Sequence, residues 1–277
     1  MTLTQRNMYF KAGIILSLLS FLLILAFFGK LLPLLAEYSE TAVYRGGGFL
    51  QNLTGRYFET VPIVPFFSIA AASLYTLIVS VTVYIFFEKT HTQEILFFAL
   101  FALSFVFETF RIMLPLEVIL EYPHVFLILG TRALVFGRLF GVLSLFASSV
   151  YAAGLDIQKQ GKVIIAIIIG ILVLSIRLPV NGSSWDTCYT LLYAYASMFR
   201  FAEIALASLT VISFLAAAHI RGNEEYNFIA LGALLISIGR RLLISADTWV
   251  TPIPGVILLC IGTVLIIIRL HRIYLWL

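Results

Sequence analysis

Eight runs of apolar residues, each long enough to cross the roughly 30 Å hydrocarbon core of a bilayer as a helix, fill most of this chain. They fall at roughly 10–35, 62–87, 93–116, 123–153, 162–179, 187–220, 226–247 and 253–275. Backbone in lipid must satisfy its N–H and C=O groups internally, so runs of this kind fold as helices. The sequence therefore predicts an all-α, polytopic integral membrane helix bundle of about eight transmembrane helices. Composition agrees: of 277 residues 61% are hydrophobic and only 12% are charged, against about 25% charged in a soluble domain.

The predicted organisation is one transmembrane domain over 1–277: helix 1 at 10–35, an outer loop at 36–61 and a seven-helix set at 62–275. Gly46, Gly47 and Gly48 forbid a regular helix in that loop, and Leu50, Tyr57 and Phe58 are expected to dip toward the interface. The start, MTLTQRNMYFK followed by AGIILSLLSFLLILAFF, resembles a signal peptide. Its apolar run is too long for one and no A-x-A site follows, so it is read as a retained first helix. Helices 4 and 6 exceed the length a span needs, and are expected to rise above the outer surface as a small crown.

Orientation follows from loop charge. Arg6, Lys11, Lys89, Lys159, Lys162, Arg221, Arg269 and Arg272 fall on one set of loops, against Arg45 and Arg56 on the other. The positive-inside rule assigns the richer set, and with it both termini, to the cytoplasm. The same rule accounts for the net charge of +4 with no nucleic-acid partner.

Ten ionisable residues fall inside the predicted helices: Glu108, Arg111, Arg132, Arg138, Arg177, Arg200, Glu203, Arg240, Arg241 and Asp247. With the orientation above, all lie from the midplane outward. Helical spacing groups them. Ser104, Glu108 and Arg111 share a face, as do Tyr193, Ser197, Arg200 and Glu203; Ser237, Arg241 and Ser245; Arg240 with Asp247; and Thr131 with Arg138. A polar stripe on an apolar membrane helix faces the bundle interior or water. An arginine at the bilayer centre costs roughly 3 kcal/mol or more to place, and an unpaired buried charge is strongly disfavoured. Seven arginines meet only three acids, Glu108, Glu203 and Asp247, as ion-pair partners. The excess must meet water, a headgroup or an anion, and the guanidinium fork suits carboxylate and phosphate. The expected site is an outward-facing cavity lined by Arg138, Arg200, Arg240, Arg241, Arg132 and Arg111, binding an anionic small molecule or a membrane-lipid headgroup. The alternatives are ion pairs acting as internal glue in an accessory subunit, and a transporter of, or enzyme acting on, an anionic lipid or metabolite.

Other signals are weaker. Gly137 and Gly141 let helices approach closely, as intramolecular packing. Asn52-Leu53-Thr54 and Asn181-Gly182-Ser183 match the glycosylation sequon. Cys188 and Cys260 lie in different helices and imply neither a disulfide nor a metal site. His219 has no metal-ligand spacing with another residue, no nucleophile–base arrangement converges, and no phosphate cradle appears. Neither an enzyme nor a cofactor or metal is expected.

The stretch SLYTLIVSVTVYIFFEKTHTQEILFFALFALSFVFE, at 73–108, resembles the opening of the membrane region of bacterial seven-transmembrane receptors with diverse intracellular signalling modules. GRLFGVLSLFASSVYAAGLDIQKQGK, at 137–162, is similar to a later helix and basic turn of that family. The resemblance is compositional and carries no site residue across. It implies a receptor in the bacterial inner (plasma) membrane. Those receptors carry fused output domains and this chain has none, so the resemblance implies signalling through a separate protein partner.

Overall fold

A computed structural model describes residues 3–42, 63–88, 93–120, 123–154 and 160–275. In chain order they form α1 (Leu3–Ala42), α2 (Ile63–Phe87), α3 (Gln93–Leu103), a 3₁₀ segment (Ser104–Ile112), α4 (Met113–Leu120), α5 (Val125–Ala152), α6 (Gln160–Arg177), strands β1 (Val180–Asp186) and β2 (Thr190–Tyr193), α7 (Ala196–Arg221), α8 (Glu225–Ile244) and α9 (Pro252–Leu275). Counting α3 to α4 as one continuous span, 8 helices among the described residues are long and apolar enough to cross a membrane. The protein is an all-α polytopic bundle and an integral membrane protein.

The exterior supports this. On α6, among the residues whose burial is described, only Ile171 and Ser175 are buried, while Ile165, Ile169, Val173 and Ile176 point outward. An apolar surface of that extent needs lipid around it. On α1, among the residues whose burial is described, those buried are Arg6, Phe10, Gly13, Ser17, Ser20 and Ile24, alternating three and four apart along one face. Small residues in that stripe bring α1 close to α2. Arg6 then crosses to the end of α2 and donates to the carbonyls of Phe87 (2.8 Å) and Glu88 (3.0 Å), two acceptors that a helix C-terminus leaves open.

The tightest pair is α8 with α9. Glycines recur seven apart on both, at 232 and 239 and at 255 and 262. A Cβ at Gly239 would sit 2.7 Å from the Gly255 carbonyl, and one at Gly262 would sit 2.7 Å from that of Gly232. The two backbones are in direct contact, so this antiparallel pair behaves as one rigid wall. Gly137 and Gly141 on α5 serve an equivalent purpose within the chain. Their absent Cβ atoms would lie 2.3 Å from the Phe107 side chain and 2.2 Å from Ser104 Oγ, which seats the 3₁₀ segment directly on α5.

The sixth predicted helix needs correction. Residues 187–195 are not helical: Val180–Asp186 pairs antiparallel with Thr190–Tyr193, with Trp185 opposite Leu191 and Asp186 opposite Thr190, and α7 begins only at Ala196. Asn181-Gly182-Ser183-Ser184 disfavours helix, and the apolar residues beyond it satisfy the length criterion for a span as a strand and a helix in succession. The crown expected from a protruding sixth helix is therefore a hairpin resting on α5. Of the predicted outer loop, residues 36–42 continue α1. Arg45, Gly46–Gly48, Leu50, Asn52, Arg56, Tyr57 and Phe58 lie outside the described residues.

Candidate functional site

Helices α5, α7 and α8 and the hairpin, with Phe101 of α3, close around a cavity of about 280 Å³. Arg138 enters it from α5, Arg200 from α7, and Arg240 and Arg241 from α8. Four of the six predicted ligand-binding arginines thus converge, and two do not. Arg132 turns toward α6, where it donates to the Leu178 carbonyl at 3.4 Å while its own carbonyl accepts from Ser175 Oγ at 2.5 Å. Arg111 is buried behind the cavity and donates to the Cys188 carbonyl (2.8 Å) and Ser68 Oγ (3.2 Å).

Two tiers of charge result. The inner tier is paired. Arg138 makes a bidentate bond to Glu108, Nε to Oε1 at 2.9 Å and Nη2 to Oε2 at 3.1 Å. Arg111 Nη1 stands 3.5 Å from Glu108 Oε2. The α-helical face expected for Ser104, Glu108 and Arg111 is replaced by 3₁₀ geometry. In a 3₁₀ helix residues three apart eclipse, which stacks Arg111 on Glu108.

The outer tier is not paired. Among the described residues no carboxylate oxygen lies within 4.0 Å of Arg200, Arg240 or Arg241. Arg240 is only 6% exposed. It donates to the Arg138 carbonyl at 2.6 Å and lies over the Phe105 ring at 5.9 Å. Arg200 and Arg241 are exposed, and among the described residues the Arg200 guanidinium donates to the Ala196 carbonyl alone, at 3.3 Å. Glu203 and Asp186 also line the cavity, but Asp186 Oδ1 is engaged by Thr187. Four arginines against these two acids leave the wall at +2.

Asp247 does not pair with Arg240. Helix α8 ends at Ile244, and its C-cap Ser245 leaves helical geometry at φ −89°, ψ 36°, so the seven-residue spacing no longer fixes a shared face. Tyr193 reaches the cavity from β2 and not from a helix, so the predicted stripe with Ser197 is not helical at that end. Ser237 and Ser245 line the cavity beside Arg241, as their spacing predicts.

Sequence reasoning missed the hairpin's share of the wall, including Asp186 and Cys188. The signal was present in Asn181-Gly182-Ser183-Ser184, which matched a sequon and also breaks helices. The turn places Tyr189 at φ 57°, a left-handed conformation uncommon for a residue with a side chain. The Tyr189 ring packs on Phe66, 5.1 Å between centroids, and burial pushes its hydroxyl up to about 12. Burial likewise pushes the Cys188 thiol above its ordinary value, Arg111 working against it.

A second polar cluster occupies the opposite end. Glu94, at the start of α3, is 3% exposed and accepts from the Tyr274 hydroxyl of α9. Arg221, ending α7, stands 3.8 Å from Glu94 Oε1 and donates to Tyr226 Oη (2.9 Å) and the Tyr151 carbonyl (3.2 Å). Arg269 and Arg272 clamp Glu225 at 2.7 and 3.1 Å.

No family model matches the chain, and no solved structure matches it. It is similar to an uncharacterized protein of Treponema pallidum (strain Nichols), 24% identical over 239 residues, covering 69% of each chain.

Proposed function

We propose that this integral membrane protein is a sensor that binds an anionic ligand or lipid headgroup in the arginine-lined cavity and relays its occupancy to partner proteins. One observation carries the reading: Arg200, Arg240 and Arg241 share a cavity with no carboxylate within ion-pair distance. Arg240 is buried, and a buried guanidinium without a paired counter-charge is costly; a bidentate anion bridging it to the exposed Arg200 and Arg241 offsets that cost. At about 280 Å³ the space is just below the roughly 300–1,000 Å³ usual for small-molecule sites.

The relay has a structural basis in α7. Its outer end carries Arg200 and its inner end carries Arg221, which is fastened to Tyr226 and Tyr151. An anion bridging Arg200 to the α8 arginines draws the outer end of α7 toward the rigid α8–α9 wall and loads the contacts at the inner end. Such a shift needs a ligand that favours one of two arrangements. A bacterial relative and helical spans support placement in a bacterial inner membrane.

The glue reading has its own support in the Arg138–Glu108–Arg111 tier, but it leaves the outer tier without a role. Gentle purification followed by native mass spectrometry separates the two. Sensing predicts a co-purifying anion lost in an Arg200→Gln/Arg241→Gln variant that still folds. An empty cavity in both proteins, with no stabilisation by added phosphate or carboxylate, would leave glue as the account.

A further inference from the structure

The cavity is polar on one side only. Along α5, which runs from the outer end inward, Arg138 is followed on the cavity wall by Val142 and Leu145, about 6 and 10 Å deeper at 1.5 Å per residue. Along α7, Arg200 and Glu203 are followed by Ile204 and Ala207, and Phe101 contributes from α3. Below the arginines the wall is therefore apolar, Ser237 being its one hydroxyl. Ile204 both lines this inner part and is 50% exposed. Phe201, three residues earlier and on the same side of α7, is exposed too. The inner chamber is thus continuous with the surface that lipid tails cover.

A compact hydrophilic anion satisfies only the upper half of such a space. It would leave apolar walls facing a void, which holds water poorly and forfeits dispersion contacts. Building on the anion-binding reading above, we infer that the cavity's ligand is an anionic amphiphile. A carboxylate or phosphate head sits between Arg240, Arg241 and Arg200, and a single acyl chain runs past Val142, Leu145 and Ala207 and leaves toward the bilayer beside Ile204. Charge complementarity fixes the head, and burial of the chain supplies affinity that a free anion lacks.

The test uses the whole protein in nanodiscs of a zwitterionic phospholipid, titrated with dodecyl phosphate, inorganic phosphate and dodecanol, with thermal unfolding as the readout. Dodecyl phosphate is expected to bind at least about tenfold more tightly than either control. Ala207→Phe, which fills the inner chamber without touching an arginine, brings dodecyl phosphate down toward inorganic phosphate and leaves inorganic phosphate unchanged. Equal affinity for dodecyl phosphate and inorganic phosphate overturns the amphiphile while sparing the anion site. Equal affinity for dodecyl phosphate and dodecanol overturns both, as does failure of all three to bind.

Discussion

At the end of the bundle that the positive-inside rule assigns to the cytoplasm, the Glu94 carboxylate meets the Tyr274 hydroxyl and the Arg221 guanidinium, and Glu225 meets two arginines. At the opposite end, Arg240 is as buried as many core residues, and among the described residues it contacts a backbone carbonyl and an aromatic face, with no carboxylate within 4.0 Å. Glu94 and Glu225 each have a cation within 4.0 Å, whereas, among the described residues, Arg200, Arg240 and Arg241 share a cavity with no carboxylate that close. The first arrangement fastens the ends of α3, α5, α7, α8 and α9. The second leaves positive charge available to something from outside the chain. The paired inner tier of the cavity, Arg111–Glu108–Arg138, stands between them: it is built like the cluster at the opposite end but sits against the cavity.

That contrast makes graded predictions. Glu108→Gln removes the counter-charge of two buried arginines and is expected to cost the most, roughly 3–5 kcal/mol, measured by thermal or detergent-induced unfolding. A smaller loss would show that Arg138 and Arg111 find water. Tyr274→Phe removes one hydrogen bond to a carboxylate and should cost roughly 1.5–3 kcal/mol. Arg200→Gln and Arg241→Gln, at exposed positions outside any ion pair, should change stability by no more than about 0.5 kcal/mol. If either destabilises as much as Tyr274→Phe, the outer tier is fastened like the inner one. The smallest perturbation is chemical. With its thiol titrating above the ordinary value, Cys188 holds little thiolate at neutral pH. In a Cys260→Ser background its alkylation should be slow near pH 7 and accelerate as pH rises. A ligand in the cavity should slow it at every pH.

The membrane bundle was legible because length and hydropathy decide it: eight spans were expected, and eight helices long and apolar enough appear. The convergence of Arg138, Arg200, Arg240 and Arg241 was legible from orientation and helical spacing together. Three features were not. The hairpin hid inside an apolar run because hydropathy does not distinguish strand from helix in Thr190–Tyr193. The 3₁₀ segment hid because its stacking of Arg111 on Glu108 depends on Gly137 and Gly141 across the interface, a tertiary effect. Asp247 was assigned to Arg240 by a spacing that holds only while the helix continues, and α8 ends at Ile244. The seven-residue spacing of Gly232 and Gly239, and of Gly255 and Gly262, marks the α8–α9 contact and went unread in the sequence.

The central claim is that the outer arginines hold an anion the cell supplies. It is tested most directly by titrating dodecyl phosphate into nanodisc-embedded wild type and the Arg200→Gln/Arg241→Gln variant. The account predicts saturable binding to the wild type and affinity at least about tenfold weaker in the variant, with unfolding temperatures of the two unliganded proteins nearly equal. Equal affinity in both proteins, or none in the wild type, would contradict it.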